Sequence, residues 1–176
     1  MRLFPIVTAP DPRLREVCEP CEVGDSSLVE IAESMAATMY ANQGCGLAAP
    51  QVGLQKRLVV VDCNDPQADP DPIYLVNPEI ISLEGEPEKE EEGCLSCPGV
   101  LVPVTRKPYV KVRYYDLEGN ECIIEGDGLL GRCLQHEIDH LDGKTLFESC
   151  NPIDRIKALH DYHEAQARGA KPGEVN

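Results

Sequence analysis

Residues 136–140, with the sequence H-E-I-D-H, constrain the fold of this chain more than any other feature of its sequence. In a helix, His136 and His140 lie one turn apart on one face, and Glu137 points about 100° to the side. Two imidazoles in this arrangement can bind one metal ion, and a carboxylate beside them can take a proton from water. The pattern therefore predicts a helix that carries a metal site suited to hydrolysis.

The residues on either side support a helix around this pattern. Asp127 is a candidate N-cap, and Gly143 is a stop signal. The helix should therefore run from there to about Leu141. Its core-facing positions recur at helical spacing and are Leu130, Leu134, Ile138 and Leu141.

The strand patterns of the chain are grouped and do not alternate regularly with helices. Apolar or alternating runs predict strands at residues 56–63, 73–76, 79–83, 100–105, 110–116 and 121–125. An S-L-V-E capping box predicts an earlier helix from about Ser27, and Asn151 followed by Pro152 predicts a last helix toward Gly169. This grouping predicts an α+β fold of mainly antiparallel β-sheets around a central metal-binding helix, with a C-terminal helix.

Two further segments are predicted to be loops. Residues 44–51, G-C-G-L-A-A-P-Q, are small, and their backbone should approach another group closely. Residues 84–92, E-G-E-P-E-K-E-E-E, are acidic and are expected to be a solvated loop. We expect a single catalytic domain over residues 1–168 and a loose C-terminal tail over residues 169–176.

The charge balance excludes several classes of partner. The chain has 16 Lys and Arg residues against 31 Asp and Glu residues, which gives a formal net charge of −15. This argues against direct nucleic-acid binding and against an anionic membrane surface. No apolar run reaches the roughly 20 residues of a membrane span, and the N-terminus lacks a secretory signal. We therefore expect a cytoplasmic protein whose nine cysteines are reduced thiols.

A hydrolytic metal site needs a third protein ligand and an open fourth position. Cys94, in the segment E-G-C-L-S of residues 92–96, is a candidate for the third ligand. Cys97, however, completes a C-x-x-C pattern with it. A closed zinc site of two cysteines and two histidines, without catalysis, is therefore an alternative at this point.

Three segments in this order and at these separations resemble the motifs of peptide deformylases. They are residues 44–51, residues 92–96, and Q-H-E-I-D-H at residues 135–140. P-x-x-R at residues 10–13 and D-G-L-L at residues 127–130 also fit, so the resemblance covers about residues 1–165. It implies hydrolysis of the N-formyl group from the N-terminal formyl-methionine of new polypeptides, with release of formate.

The resemblance also implies a metal centre and a general base. Cys94, His136 and His140 would hold one divalent metal ion, with water in the fourth position. Glu137 would be the general base and later the acid that protonates the departing amine. Ferrous iron is the expected ion, because members of the family typically use it, and Zn²⁺, Ni²⁺ or Co²⁺ can substitute.

Two further roles follow from the resemblance. The Gln51 side-chain amide and the Leu95 backbone N–H would stabilise the oxyanion of the tetrahedral intermediate. Gly46 would let the loop backbone lie against the substrate. Arg132 stands where an aliphatic residue is expected, so its stem would line the pocket and its guanidinium would lie at the rim. With Gly46, the expected substrate-binding residues are Cys45, Leu129, Arg132 and Cys133.

Formylmethionyl nascent peptides are the expected partners. Some relatives contact the ribosome through a basic C-terminal helix, but residues 161–176 here are not notably basic, and a transient ribosome contact is left open. A second enzyme hypothesis is an H-E-x-x-H metallopeptidase, although such enzymes usually take a third His or Glu as ligand.

Overall fold

The computed structural model describes residues 1–175, and Asn176, the last residue of the predicted tail, lies outside the described residues. Two 3₁₀ turns, Pro12–Arg15 and Ala49–Val52, accompany the helices and strands. In chain order, the described residues form α1 (Ser27–Ala41), β1 (Gly46–Ala48), β2 (Leu58–Val61), β3 (Ile73–Glu84), β4 (Glu88–Glu92), β5 (Val102–Arg106), β6 (Tyr109–Tyr115), β7 (Glu121–Gly126), α2 (Gly128–Leu141), α3 (Leu146–Ser149) and α4 (Pro152–Ala167).

The strands form two antiparallel sheets. Five strands pair in the order β1-β2-β3-β6-β7, and β4 pairs with β5 in a separate two-stranded sheet. The predicted α+β fold, with antiparallel sheets around the helix of the H-E-x-x-H pattern and a C-terminal helix, is confirmed.

The larger sheet lies between α1 and α2. Val59 and Val61 on β2 pack in one core cluster with Leu134 and Leu141 of α2. The alternate residues of β2 pack on the other side, in a cluster with α1. Because both faces of β2 are buried, its sequence is a continuous apolar run and does not alternate.

The C-terminal helix α4 packs against the smaller sheet. Ala158, Tyr162 and Ala165 of α4 share a core cluster with Val102 and Val104 of β5. The predicted N-cap is confirmed, since the Asn151 side chain accepts a hydrogen bond of 2.8 Å from the backbone N–H of Asp154. Among residues 1–175, no helix combines the length and the apolar character that crossing a membrane requires.

Two segments that were predicted as loops form regular structure instead. Within residues 44–51, three residues form β1 along β2, and a 3₁₀ turn follows them. In the acidic run, Glu88–Glu92 forms β4 and pairs with β5. The loop predictions were wrong because pairing with a distant strand satisfies the backbone, whatever the local composition.

Two local predictions also differ from the structure. The strands predicted at residues 73–76 and 79–83 are one strand, β3, with an irregular register where Asn77 adopts a φ of 51°. Its side chain bonds the backbone of Cys21 at 2.8 and 2.9 Å, which holds this conformation. The capping box at Ser27 does not form; Asp25 accepts a hydrogen bond from the Ser27 N–H instead.

The described residues of the C-terminal tail lie against the body of the protein. The backbone N–H of Gly99 donates to the Glu174 carbonyl at 2.9 Å. Gly173 has a φ of 92°, and a Cβ there would lie 2.5 Å from the Asn42 carbonyl oxygen. A side chain at position 173 would therefore push the tail away.

Candidate metal centre and substrate cavity

Two elements bring the three predicted metal ligands together. Helix α2 carries His136 and His140, and Cys94 follows β4 in the chain. The Nε2 atoms of the two imidazoles are 3.2 Å apart, and the Cys94 Sγ lies 3.3 Å from the His140 Nε2. All three ligand atoms lie within 4.8 Å of one another.

These distances suit one bound ion. Nitrogen and sulfur ligands at about 2.0–2.3 Å from a tetrahedral ion lie about 3.3–3.8 Å apart. The observed separations of 3.2 and 3.3 Å are close to this range. Cysteine and histidine together are a donor set for Fe²⁺, Zn²⁺ and similar divalent ions. The residues present therefore fit a divalent metal centre.

Glu92 fixes the orientation of His136. Its Oε1 lies 3.1 Å from the Nδ1 of His136, so the Nε2 of that ring faces His140. Carboxylate partners of this kind set the tautomer of a metal-binding histidine. Arg106 donates to both oxygens of this carboxylate, at 2.7 Å to Oε2 and 3.0 Å to Oε1.

The surroundings of Glu92 and Cys94 shift their pKa values in opposite directions. Burial alone would raise the pKa of Glu92, but hydrogen bonds from His136 and Arg106 outweigh it and hold the pKa at about 2. For Cys94, a hydrogen bond with Cys97 and then burial raise the pKa to about 11. A cation beside the sulfur would favour the thiolate.

Glu137 is buried next to the ligands and is only 5% exposed. Among the described residues, its Oε2 and the Nδ1 of His140 are the buried side-chain polar atoms without a hydrogen-bond partner. Burial raises the pKa of Glu137 to about 7, although the charge of His136 acts in the opposite direction. A cation in the centre would lower the pKa of Glu137, as His136 does, and so favour the carboxylate, the form that can accept a proton.

Gly46 lets the backbone of β1 approach this carboxylate. A Cβ on Gly46 would lie 2.7 Å from the Glu137 Oε1 and 2.6 Å from the Cys133 Sγ. Real Cβ atoms do not come this close, so a larger residue would displace either side chain. The close backbone approach expected of residues 44–51 is therefore present at Gly46.

Gln51 presents its side-chain amide to the same centre. Its Nε2 lies 3.1 Å from the Ser96 Oγ and 3.5 Å from the Cys94 Sγ. Its Oε1 accepts a 2.9 Å hydrogen bond from the Ala48 N–H, which fixes the amide orientation. Leu95, the other predicted oxyanion residue, follows Cys94 directly and lines the same cavity.

A cavity of about 420 Å³ opens beside the centre. Each of the five predicted substrate-binding residues lines it: Cys45, Gly46, Leu129, Arg132 and Cys133. Glu137, Gln51, Cys94 and His136 also face it, whereas His140 lies behind them and is 1% exposed.

The Arg132 guanidinium binds the small sheet, and its side chain is only 11% exposed. It donates to Glu92 at 2.9 Å and to the Val104 carbonyl at 3.0 Å. A third hydrogen bond, of 2.6 Å, reaches the Glu88 carbonyl. The head group therefore bonds to β4 and β5 and is not free at the rim.

Sequence reasoning missed several residues that shape the site. It assigned no role to Glu92 or Arg106, although Glu92 stands two residues before Cys94. Arg106 also donates to Asp139 at 2.9 Å, inside the H-E-x-x-H pattern itself. Residues 173–175 line the cavity as well. The position of an acid two residues before the candidate ligand Cys94 was the available signal for Glu92, but no local signal marked Arg106.

Cys97 lies beside Cys94 but outside the cluster of the three ligand atoms. It is 1% exposed and packs in the core cluster of α4 and β5. Its N–H bonds the Cys94 carbonyl at 3.0 Å, which shapes the turn that carries the ligand. Across residues 1–175, the ligand cluster around His136 and His140 contains Cys94 but not Cys97.

The fold is α+β, and its H-E-x-x-H helix brings two histidines and a glutamate together with a cysteine from another segment. These features define a class of metal-dependent hydrolases. Comparisons with known proteins narrow this class. The family model described as polypeptide deformylase matches residues 3–156. The chain belongs to the polypeptide deformylase family, whose members are metal-dependent enzymes that act on formylated nascent peptides.

Named relatives and solved structures agree with this membership. The peptide deformylase of Hahella chejuensis is 42% identical over 170 residues, which cover 95% of this chain and 100% of the relative. That of Bartonella quintana is 43% identical and covers 92% of both chains. The crystal structure of a peptide deformylase from Legionella pneumophila has a TM-score of 0.87 and 40% identity, and it covers 97% of this chain and 100% of its own. A peptide deformylase from Synechococcus elongatus, solved in complex with actinonin, has a TM-score of 0.83 and 39% identity. The match covers 91% of this chain and 88% of that one.

Proposed function

We propose that residues 1–168 form one catalytic domain that removes the formyl group from formylmethionyl peptides through Cys94, His136, His140 and Glu137. The observation that carries this proposal is the convergence of three ligand atoms beside the buried, unpartnered Glu137 carboxylate, at the wall of a cavity. A closed structural site would not need such a carboxylate or such a cavity.

A divalent ion in this centre supplies Lewis acidity to a carbonyl oxygen and lowers the pKa of a water molecule. Glu137 takes the proton of the attacking water and later gives it to the departing amine. The Gln51 amide and the Leu95 N–H donate hydrogen bonds to the oxygen on which negative charge develops. Glu92 keeps the His136 ring in position throughout.

The shape of the cavity suits a formyl group next to a methionine. At Gly46 the β1 backbone lies against the side chains of Glu137 and Cys133, so we expect the space beside the base to accept only a small acyl group. Cys45, Leu129 and Cys133 offer apolar surface for the methionine side chain. A preference for formyl-methionine follows from these two features.

Formate release is the direct test of this function. Protein purified without oxygen, with its metal content measured on the same sample, should release formate from a formylmethionyl peptide in proportion to bound metal. Cleavage of an unformylated protein substrate would instead establish a metallopeptidase. Stoichiometric metal without either activity would favour a non-catalytic zinc domain.

Ferrous iron is our proposal for the native ion, and the family's common use of iron supports it. Iron(II) beside the Cys94 thiolate is prone to oxidation together with its ligand. We expect activity to decline much faster in air than under anaerobic conditions, and zinc-loaded protein should lose this difference. Equal half-lives of the as-purified enzyme with and without oxygen would contradict iron.

Cys94 and Cys97 should respond differently to replacement. Cys94→Ala removes a proposed ligand, so we expect metal content and formate release to be lost together. Cys97→Ala should keep both, because its sulfur lies in the core cluster of α4 and β5. A loss of metal in Cys97→Ala, measured by elemental analysis of folded protein, would support the closed four-ligand site.

We also propose a cytoplasmic location and transient ribosome contact, because ribosomes in the cytoplasm make the formylated chains. Helix α4 exposes Ile153, Ile156 and Leu159 at helical spacing, which offers an apolar contact surface. The net charge of −15 supports contact with a protein component, without direct nucleic-acid or membrane binding. Co-sedimentation of the purified protein with ribosomes at physiological salt tests this, and its absence would overturn the contact.

A further inference from the structure

A second group of thiols lies beside the centre and takes no part in the metal binding or proton transfer above, although Cys45 and Cys133 line the cavity. Cys45 stands just before β1, Cys63 lies two residues beyond β2, and Cys133 is on α2. Their three sulfur atoms all lie within 4.8 Å of one another. The fold therefore gathers three cysteines that are far apart in sequence at one point.

The sulfur separation matches shared binding of one ion. Two sulfurs at about 2.3 Å from one ion lie about 3.8 Å apart in tetrahedral and about 4.0 Å apart in trigonal geometry. The Sγ atoms of Cys45 and Cys133 are 3.9 Å apart. A disulfide needs about 2.05 Å, so these sulfurs would have to move about 1.9 Å closer to form one. The present arrangement suits a metal ion better than a disulfide.

The sulfurs are accessible and only weakly engaged by the protein. Cys45 and Cys63 are half-buried, so an ion can enter between them, while the buried Cys133 closes the far side. The Sγ atoms of Cys133 and Cys63 lie 3.6 and 3.9 Å from the Cys45 carbonyl oxygen, which makes these hydrogen bonds long. Hydrogen bonds from Cys133 and Cys63 lower the pKa of Cys45, whereas the pKa values of Cys63 and Cys133 are raised, so an entering ion has to displace the protons of these two thiols.

We propose that Cys45, Cys63 and Cys133 form a second metal site that takes one soft, thiophilic cation. The three cysteines bind the ion as thiolates, and each thiol that is still protonated releases its proton to solvent. No oxidant is needed, because sulfur and metal keep their oxidation states. An all-sulfur donor set selects soft ions over Mg²⁺ or Ca²⁺.

Such an ion would also affect the catalytic cavity, a consequence that rests on the proposed function. Gly46 lies between the two sites, because a Cβ there would be 2.6 Å from the Cys133 Sγ and 2.7 Å from the Glu137 Oε1. A cation on the three thiolates would sit in the cavity wall beside the proposed general base. We therefore expect it to inhibit formate release without displacing the catalytic ion.

Cadmium is the probe for this site. The metal-loaded enzyme, kept anaerobic in thiol-free buffer, is dialysed against Cd²⁺; bound cadmium is counted and sulfur-to-cadmium charge-transfer absorption is recorded. The wild type should bind one cadmium more than Cys63→Ser. Loss of even an outer partner weakens metal binding about 10–100-fold, so loss of a ligand should weaken this cadmium by about 100-fold or more. Cys122→Ser, a half-buried cysteine outside the cluster, should match the wild type.

The readouts separate this proposal from the enzyme function. In ¹¹³Cd NMR, the wild type should give one resonance of a sulfur-rich site that Cys63→Ser and Cys63→Ala both lack. Extra cadmium in a protein that releases no formate before cadmium is added would contradict only the deformylase function. Equal cadmium content and absorption in the wild type and Cys63→Ser would overturn the second site. So would loss of two of the three thiols to a disulfide without metal uptake.

Discussion

We expect Glu137→Gln to lower formate release about 10²–10⁴-fold, the range that a positioned general base contributes. Glutamine has the same shape but cannot take a proton from water. The bound metal should stay, because Glu137 is not among the three clustered ligands. Thermal stability should be equal or higher, since the change removes a buried, unpartnered carboxylate. Formate release, elemental analysis and thermal unfolding measure these three quantities on one preparation.

Glu164→Gln is the matched control for this substitution. Glu164 is an exposed glutamate on α4 that pairs with His160 at 3.3 Å and is far in sequence from the centre. This variant should keep full activity and metal content. Undiminished formate release in Glu137→Gln would refute the assignment of the base. Loss of metal in Glu137→Gln would show that Glu137 helps to hold the ion.

The sequence predicted α1, α2 and α4 because their signals are local, but it did not predict the four-residue helix α3. The apolar spacing around the H-E-x-x-H pattern and the stop at Gly143 predict α2, which spans Gly128–Leu141. The N-cap at Asn151 likewise predicts the start of α4. Since α2 fixes the relative position of His136 and His140, two of the three ligands in the candidate centre could be placed from short-range periodicity alone.

The sequence could not predict β4, because nothing local marks it as a strand. Its five residues, E-K-E-E-E, show no apolar alternation, and pairing with β5 forms the strand. The last of them, Glu92, is buried because Arg106 and Arg132 neutralise it from β5 and α2. Partners 14 and 40 residues away decide the conformation of this segment.

The cavity wall depends on long-range contacts in the same way. The tail residues Glu174 and Val175 reach the cavity because Glu174 pairs with Gly99. Cys63 joins Cys45 and Cys133 only because β1 and β2 pair and α2 packs on them. Local patterns thus predict elements and motif residues, whereas the neighbours of a motif follow from the assembled fold.

We expect Arg106→Ala to lower the free energy of unfolding by about 3–5 kcal/mol, the usual cost of removing one partner of a buried ion pair. Arg106 is 8% exposed and bridges Glu92 and Asp139, so its loss would take this cation from Asp139 and leave Glu92 with Arg132. For a chain of this size the melting temperature should fall by about 6–20 °C. Metal affinity should fall too, because Glu92 orients His136.

Arg113→Ala is the matched control, because Arg113 also bridges two carboxylates from a strand. It pairs with Glu79 at 2.6 Å and with Glu121 at 3.8 Å, but its side chain is 43% exposed. Water replaces such contacts at little cost, so stability and metal affinity should stay near those of the wild type. Equal effects of the two substitutions would mean that burial of the Arg106 network adds nothing to the fold. A destabilised Arg106→Ala with unchanged metal affinity would mean that His136 keeps its orientation without this arginine.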